Sequence, residues 1–268
     1  MNEIKKYTSF NDAYRDIAKD LLTYGHDSNG TKEINNYSFT LTDLDQNILT
    51  IAPISLSYLC GELTWYVLAD ESIEFISHFK STGMNRTSET PWSNSAYGHI
   101  LCKRHGFNQI QQVITALKNK PSSRRAIINL NVPDSHRHER LDEICTIALQ
   151  FYIQDGKLNQ TAIMRSNDAY GCLPYDLAYF TELQKMIAKE IGVEVGEYTH
   201  FAVSFHAYER DWDKLKNVEN AKVDTTVSID FDSLRYFATD LREKLKALNF
   251  DNDKVVELYK RYRVVNIK

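Results

Sequence analysis

Three observations predict an α+β fold: apolar residues at helical spacing recur between period-two strand patterns, one tight hairpin signal joins two of the strands, and no regular strand–helix–strand rhythm of a doubly wound sheet runs through the chain. Phe10, Tyr14, Ile17, Leu21 and Leu22 recur at helical spacing and predict an amphipathic opening helix. Residues 37–43 alternate apolar and polar side chains, a strand pattern. Residues 55–69 are apolar on most sides and predict a buried helix with one acid, Glu62. Residues 81–97 are polar and carry Gly83 and Pro91, which predicts a long loop of the kind that is functional or mobile in compact domains. A helix follows with Ile110, Val113, Ile114 and Leu117 on one face, then a strand over 125–130 and a polar loop holding His136 and His138. Residues 145–153 and 158–164 predict two strands around the turn pair Asp155-Gly156. A helix over 175–191, a strand over 200–205 and a helix over 207–216 complete the pattern.

The chain has no internal repeat, no low-complexity segment and no linker rich in Pro, Gly or Ser, so one domain over 1–268 is expected. With 43% hydrophobic and 25% charged residues it reads as an ordinary soluble protein with a substantial core. The longest apolar runs, such as 63–69, are too short to span a bilayer, and the opening Met-Asn-Glu-Ile-Lys-Lys lacks the apolar stretch of a signal peptide. No membrane association and a cytoplasmic location are expected. The net charge of −4 argues against nucleic-acid binding, which needs a basic face, but leaves room for a small phosphorylated substrate held by a few arginines. Cys60, Cys102, Cys145 and Cys172 include no CxxC pair, so neither a disulfide framework nor a metal site is expected.

Cys145 stands at the start of a predicted strand behind Asp142-Glu143. Its ordinary reading is a small buried hydrophobe; a nucleophile there needs a cation from elsewhere in the fold. Arg124 and Arg125 follow Pro121-Ser-Ser; on a strand they point to opposite faces and would not grip one phosphate within their own subunit, unless the strand start is irregular or they reach across an interface. Arg165-Ser166 sets a guanidinium fork beside a hydroxyl, a pairing that suits phosphate. Asp168 and Asp176 flank Gly171 and Pro174, and Asp176 also reads as a favourable charge in a helix's first turn. Glu62 is an acid among Tyr58, Leu59, Leu63 and Trp65; burial would raise its pKa toward the general-acid range. His206 and Tyr208 share one side of an extended segment, as a core pair or as hydrogen-bonding groups for a sugar.

Taken in order, these blocks resemble the thymidylate synthase core: Glu62-Leu-Thr-Trp65, Ala96-Tyr-Gly98, Pro121-Ser-Ser-Arg-Arg125, Cys145 followed by Gln150-Phe-Tyr152, Gly156-Lys-Leu158, Met164-Arg-Ser-Asn-Asp168 and His206-Ala-Tyr208. Several departures sort the chain within that superfamily. Thr146 follows the nucleophile where thymidylate synthases carry His, and Asp176 stands where they carry the Asn that reads uracil. Ser93-Asn-Ser-Ala-Tyr-Gly98, Cys145-Thr146 and Met164-Arg-Ser-Asn-Asp168 resemble the (deoxy)cytidylate 5-hydroxymethylases. Ser28-Asn-Gly30 replaces an Arg-x-Gly phosphate loop, so one phosphate ligand is lost or comes from Lys32. Gly171 lies one position before the family's glycine, which is Cys172 here.

The resemblance implies a three-layer fold and a homodimer whose mixed sheets pack back to back, Arg124 and Arg125 crossing into the partner's site. It implies a pyrimidine nucleoside monophosphate, dCMP or CMP, as substrate and 5,10-methylenetetrahydrofolate as co-substrate, without a metal. Cys145 would add to C6, with Glu62 and Tyr97 arranging water and proton transfers. Arg165, Ser166 and the two crossing arginines would hold the phosphate, His206 and Tyr208 the sugar, and Asp176 the base, also with a catalytic role. Asp168 and Trp92 would face the folate. A C5-methylating relative and a non-catalytic nucleotide-binding relative are the alternatives.

Overall fold

The computed structural model describes residues 4–79, 91–132, 142–248 and 251–268; most of the predicted 81–97 loop, and His136 and His138, lie outside them. The fold is α+β with a mixed sheet. The chain opens with β1 (Lys5–Tyr7) and α1 (Phe10–Tyr24), the latter started by Ser9, whose hydroxyl accepts from Asp12 N at 3.1 Å. Phe10, Tyr14, Ile17 and Leu21 of the predicted stripe are buried in α1 together with Ala13 and Ala18; each large apolar side chain of that kind contributes about 1.5–3 kcal/mol relative to exposure. β2 (His26–Ser28) and β3 (Thr31–Leu41) follow, then α2 (Leu56–Val67), capped by Ser55. Every residue of α2 from Ser57 to Tyr66 is buried, Glu62 included. A helix apolar all round belongs inside a helical layer, and α2 packs against the two C-terminal helices.

Short helices α3 (Ile73–Ile76) and α4 (Tyr97–Cys102) lead to α5 (Gln109–Asn119) and β4 (Ile127–Asn129). β5 (Thr146–Gln154) and β6 (Lys157–Asp168) form the predicted hairpin, Asp155 and Gly156 both having positive φ. Then come α6 (Leu173–Ile191), β7 (Glu194–Tyr208), α7 (Trp212–Val218), β8 (Val227–Ile229), α8 (Phe231–Ala247), α9 (Asn252–Arg261) and β9 (Val265–Ile267).

The main sheet runs β1-β3-β7-β6-β5-β4, with β2 paired to β3; β1–β3 and β6–β7 are parallel and the other pairs antiparallel. Several predicted boundaries move because pairing sets them. The strand expected over 200–205 runs from Glu194 to Tyr208, since β3 pairs it as far as Thr31↔Tyr208 and β6 flanks its other side. The helix expected from 207 therefore starts at Trp212, after a short 3₁₀ turn. The strand expected over 37–43 begins at Thr31 for the same reason, and that over 125–130 shortens to Ile127–Asn129 at the sheet edge.

The sheet's two faces differ. Leu158, Ala162 and Met164 of β6 and Tyr198, His200 and Ala202 of β7 are buried beneath the helices. On the opposite face Ile163 and Phe201 are partly exposed, and Ile127, Tyr152 and Val203 are open to solvent.

One close approach fixes the helical layer. A Cβ at Gly98 of α4 would lie 1.9 Å from the carbonyl oxygen of Tyr66 on α2, so only glycine lets the two helices meet as they do, with the Tyr66 and Tyr97 rings stacked at 5.5 Å. Gly98→Ala is therefore expected to destabilise the fold by at least about 1–3 kcal/mol, as overpacking does. Urea unfolding measures this, and a loss below roughly 0.5 kcal/mol, the surface-substitution range, would show that α4 can move away freely.

Candidate active site

Cys145, Arg165, Asp168, Asp176, Glu62 and Tyr97 lie where the carboxyl end of β6 and the start of α6 face α2, α4 and the entry to β5. Cys145 is half-buried and precedes β5 directly; its Sγ donates to Glu143 O at 3.7 Å. Arg165, across the β5–β6 ladder, holds this entry from beneath. Its backbone N donates to Cys145 O at 2.9 Å, Nε to Ile144 O at 2.8 Å and Nη2 to Glu143 O at 3.1 Å. The cation that the acidic local sequence lacked is thus Arg165, and it favours the thiolate. Burial outweighs it, pushing the Cys145 thiol up to about 11, with Asp176, Asp142 and Asp168 adding to the rise.

Asp142, which the sequence offered only as unfavourable charge, has a structural use. Its carboxylate accepts from Ser93 Oγ and Asn94 N at 2.7 Å and from Ser95 Oγ at 2.5 Å. These bonds tie the segment behind Trp92 to the stretch before Cys145. The Trp92 ring itself is 51% exposed.

Glu62 is 5% exposed, and its Oε1 accepts from Tyr58 OH at 2.8 Å and Tyr66 OH at 3.3 Å. Burial raises its pKa to about 8; the tyrosine hydroxyls oppose the rise and the charge of Asp176 adds to it. Asp176, half-buried in the first turn of α6, is pushed up to about 7 by burial and by Asp168, against the amide of Asn167, whose Nδ2 donates to Asp176 Oδ2 at 2.9 Å. Tyr97, also buried, is linked through its hydroxyl to Thr146 Oγ1 at 2.9 Å. Two carboxyl groups whose pKa burial raises thus stand within reach of each other's charge, and one of them, Asp176, also acts on the Cys145 thiol, an arrangement suited to proton transfer.

Asp168 ends β6, where its Oδ1 accepts from Tyr170 N at 3.0 Å and Gly171 N at 3.1 Å. A Cβ at Gly171 would lie 2.6 Å from Asp168 Oδ2, so the glycine sits where this corner needs it, and Cys172, one residue on, is exposed. Asp168 pairs in register with His206 on β7, and the His206 and Tyr208 rings meet edge to face at 5.2 Å. Ser166, half-buried, lies opposite Ser204. Arg210 stacks on Tyr208 at 4.1 Å, and the turn at Asn29-Gly30 docks beside it through Glu209 N to Gly30 O at 3.0 Å. Lys32 is paired with Asp27 at 3.1 Å.

Arg124 and Arg125 stand apart from these groups. Both are exposed at the lead-in to the edge strand β4, and neither guanidinium has a hydrogen bond or ion pair among the described residues. The sequence missed Tyr58 and Tyr66 as holders of Glu62, although their positions four residues either side on one helix point to it, and it missed Asn167 as the partner of Asp176. All four cysteines are free, no group of three or more His, Cys, Asp and Glu is placed for a metal among the described residues, and no described helix is long and apolar enough to cross a membrane.

The raised pKa of Glu62 carries a stability consequence. Its ordinary value is 4.5 and its folded value about 8, so between these limits the folded state binds more protons than the unfolded chain. The protonated acid's stability is present in full below about pH 4.5 and is lost as pH rises toward 8. Glu62→Gln keeps an acceptor for both tyrosines and removes the titration. It is expected to stabilise the protein at pH 8 by about 1–3 kcal/mol, read as a Tm gain of roughly 2–4 °C per kcal/mol, and to change Tm little at pH 5. An equal effect at both pH values would show that Glu62 ionises normally in the folded protein.

Comparison with known proteins agrees with this geometry. The family model described as thymidylate synthase matches residues 10–260. Two curated relatives, each named "Putative thymidylate synthase", come from Methanosarcina barkeri and Methanosarcina mazei. They are 35% and 36% identical over 124 residues, which is 46% of this chain and 56% of either relative. The chain thus spans about half the length of the curated relatives it matches. The family match, by contrast, runs through nearly the whole described fold and takes in Glu62, Cys145, Arg165 and Asp176, and on that ground the chain belongs to the thymidylate synthase family.

Proposed function

We propose that the protein transfers a one-carbon unit to C5 of a cytidine monophosphate, dCMP or CMP, and leaves a 5-hydroxymethyl group. The observation that carries this reading is the carboxyl of Asp176, near enough to Cys145 for its charge to act on the thiol, in a member of the thymidylate synthase family. Cytosine offers an amino donor and a ring-nitrogen acceptor, and a protonated carboxyl answers both. Protonation of N3 by Asp176 also makes C6 more electrophilic, and the Cys145 thiol, giving its proton to water, adds there as the thiolate whose charge Arg165 favours. The C5 carbon becomes nucleophilic. When bound, 5,10-methylenetetrahydrofolate supplies the carbon unit at the oxidation level of formaldehyde. Once C5 has lost its proton and tetrahydrofolate has left with it, Glu62 and Tyr97 hold the water that adds to the new exocyclic carbon, and departure of Cys145 from C6 restores the C5=C6 bond.

The residues fit such a co-substrate. Asp168 keeps Oδ2 free of hydrogen bonds among the described residues while Oδ1 is occupied, which suits a donor edge of a flat heterocycle, and Trp92 offers an exposed side chain tied to the Cys145 entry. Arg165 and Ser166 would hold the phosphate, with Arg210 nearby, and His206 and Tyr208 the sugar. A homodimer accounts for two further features: the uncovered apolar sheet face through Ile127, Tyr152, Ile163, Phe201 and Val203, and the two unpartnered arginines at its edge. Back-to-back sheets would bury the face and let Arg124 and Arg125 reach the partner's phosphate site. A second reading, transfer of a methyl group, is favoured by the names of the relatives.

The deciding assay incubates CMP, dCMP, UMP and dUMP with 5,10-methylenetetrahydrofolate and reads products by mass. The expected product is a 5-hydroxymethyl cytidylate with tetrahydrofolate released unoxidised; a methylated product with dihydrofolate establishes the second reading. Cys145→Ala is expected to lower turnover by at least about a thousandfold, the scale of losing a covalent step, while nucleotide binding survives. Activity retained in Cys145→Ala but lost in Cys172→Ala would identify the other thiol as the nucleophile.

The shared site has its own test. Inactive Arg125→Ala and inactive Cys145→Ala, mixed and allowed to exchange subunits, are expected to regain activity, because random heterodimers leave roughly a quarter of all sites with neither lesion. Verified exchange without recovery would place Arg125 outside the partner's site.

A further inference from the structure

Asp176 does not face the site alone. Asn167, at the end of β6 and 1% exposed, donates Nδ2 to Asp176 Oδ2 at 2.9 Å, and its own Oδ1 is buried without a hydrogen-bond partner among the described residues. Chemistry sets the direction of this bond. An ionised carboxylate only accepts, so the amide must turn its NH2 group toward it. Turning the amide round would strand the whole buried NH2 group in place of one acceptor, and would demand a proton on Oδ2.

The consequence lies in where a proton on Asp176 can sit. A bare carboxyl protonates on either oxygen and so shows a base edge either order of donor and acceptor. Cytosine needs an acceptor opposite its 4-amino group and a donor opposite N3, whereas uracil needs the reverse order. A symmetrical acid therefore fits both bases. With Oδ2 already accepting from Asn167, the proton is held on Oδ1, and one of the two orders is removed.

Resting on the cytidylate reading above, we propose that Asn167 is a specificity-determining positioning residue, whose amide keeps Asp176 Oδ2 as acceptor for the 4-amino group and leaves Oδ1–H as donor to N3, thereby excluding uracil. The same logic governs an amide at 176. In Asp176→Asn, Asn167 holds the new carbonyl on its own side and leaves the NH2 group for N3, which is still the cytosine order. Only when Asn167 is removed as well can that amide turn to read uracil.

The test is the ratio of dissociation constants for dUMP over dCMP, or UMP over CMP if the ribonucleotides bind, in wild type, Asn167→Ala, Asn167→Leu, Asp176→Asn and the double variant Asp176→Asn with Asn167→Leu. Leucine fills the volume of the asparagine without its donor, so a packing role weakens both nucleotides together and leaves the ratio unmoved. The expected ratio falls at least tenfold in both Asn167 variants through gained uridylate binding, stays in favour of cytidylate in Asp176→Asn, and inverts in the double variant. An unchanged ratio in both Asn167 variants, with wild type preferring cytidylate, overturns the role of Asn167 and leaves the cytidylate reading standing. A wild type that prefers uridylate overturns that reading, and this inference with it. Should the Asn167 variants fail to fold, Asp176→Asn decides alone: inversion toward uridylate in that single variant overturns the proposal, because an intact Asn167 would hold its amide in the cytosine order.

Discussion

The grip of Arg165 on the backbone of residues 143–145 is the interaction on which the candidate site depends. Three of its bonds, one from the main chain and two from the guanidinium, end on consecutive carbonyls before and at Cys145. They place a permanent positive charge beneath the thiol and fix the thiol's position at the mouth of β5. They also engage Nε and Nη2, so a phosphate held by Arg165 would meet chiefly Nη1. A charged side chain that already bonds two carbonyls is preorganised, and binding an anion costs it little further order. On the far side of the same stretch, Asp142 is bonded by the Ser93–Ser95 segment. Cys145 is thus fixed from two directions.

Burial is the second constraint, and it acts against Arg165. The helical layer that covers the sheet excludes water from Glu62, Tyr66, Tyr97 and much of Cys145. Every ionisable group in such a place resists charge. The result is a site in which burial disfavours the charged forms of the thiol and of both acids. The close packing of α4 on α2 at Gly98 belongs to the same design: it brings Tyr97 against Tyr66 and closes the layer over Glu62.

Much of this was legible in the chain. Period-two and period-3.6 patterns located the principal helices and strands up to α7, because those patterns follow from which face is buried. Boundaries were less legible, as β7 shows: Glu194 to Thr199 and His206 to Tyr208 are extended because β6 and β3 pair them, which no local pattern declares. The C-terminal helices were readable but unread; Phe231, Leu234, Ala238, Leu241 and Leu245 keep helical spacing behind the cap Asp230. In the site, motif order and spacing singled out Cys145, Arg165, Asp176 and Glu62, of which Glu62 alone is a chemical type out of place in its local setting. Asn167 and Asp142 escaped because an Asn on a strand and an Asp in a loop are common, and only the fold brings them to their partners.

Two acids within reach of each other's charge give the site its remaining property. Asp176 raises the pKa of Glu62, so ionising one makes the other harder to ionise. Near neutrality the pair therefore tends to hold at least one proton between them. On the proposed mechanism, covalent addition to a pyrimidine would need a proton delivered at the ring's polar edge while another is removed elsewhere, and a pair that shares protons would serve both ends without a large change in net charge. The hydrogen bonds around the pair are unequal in a way that suits this division. Glu62 is held by two tyrosine hydroxyls at one oxygen and Asp176 by one amide at one oxygen. Each acid thus keeps one oxygen committed to the protein, so that its position is fixed by the fold, while its other oxygen makes no such bond among the described residues.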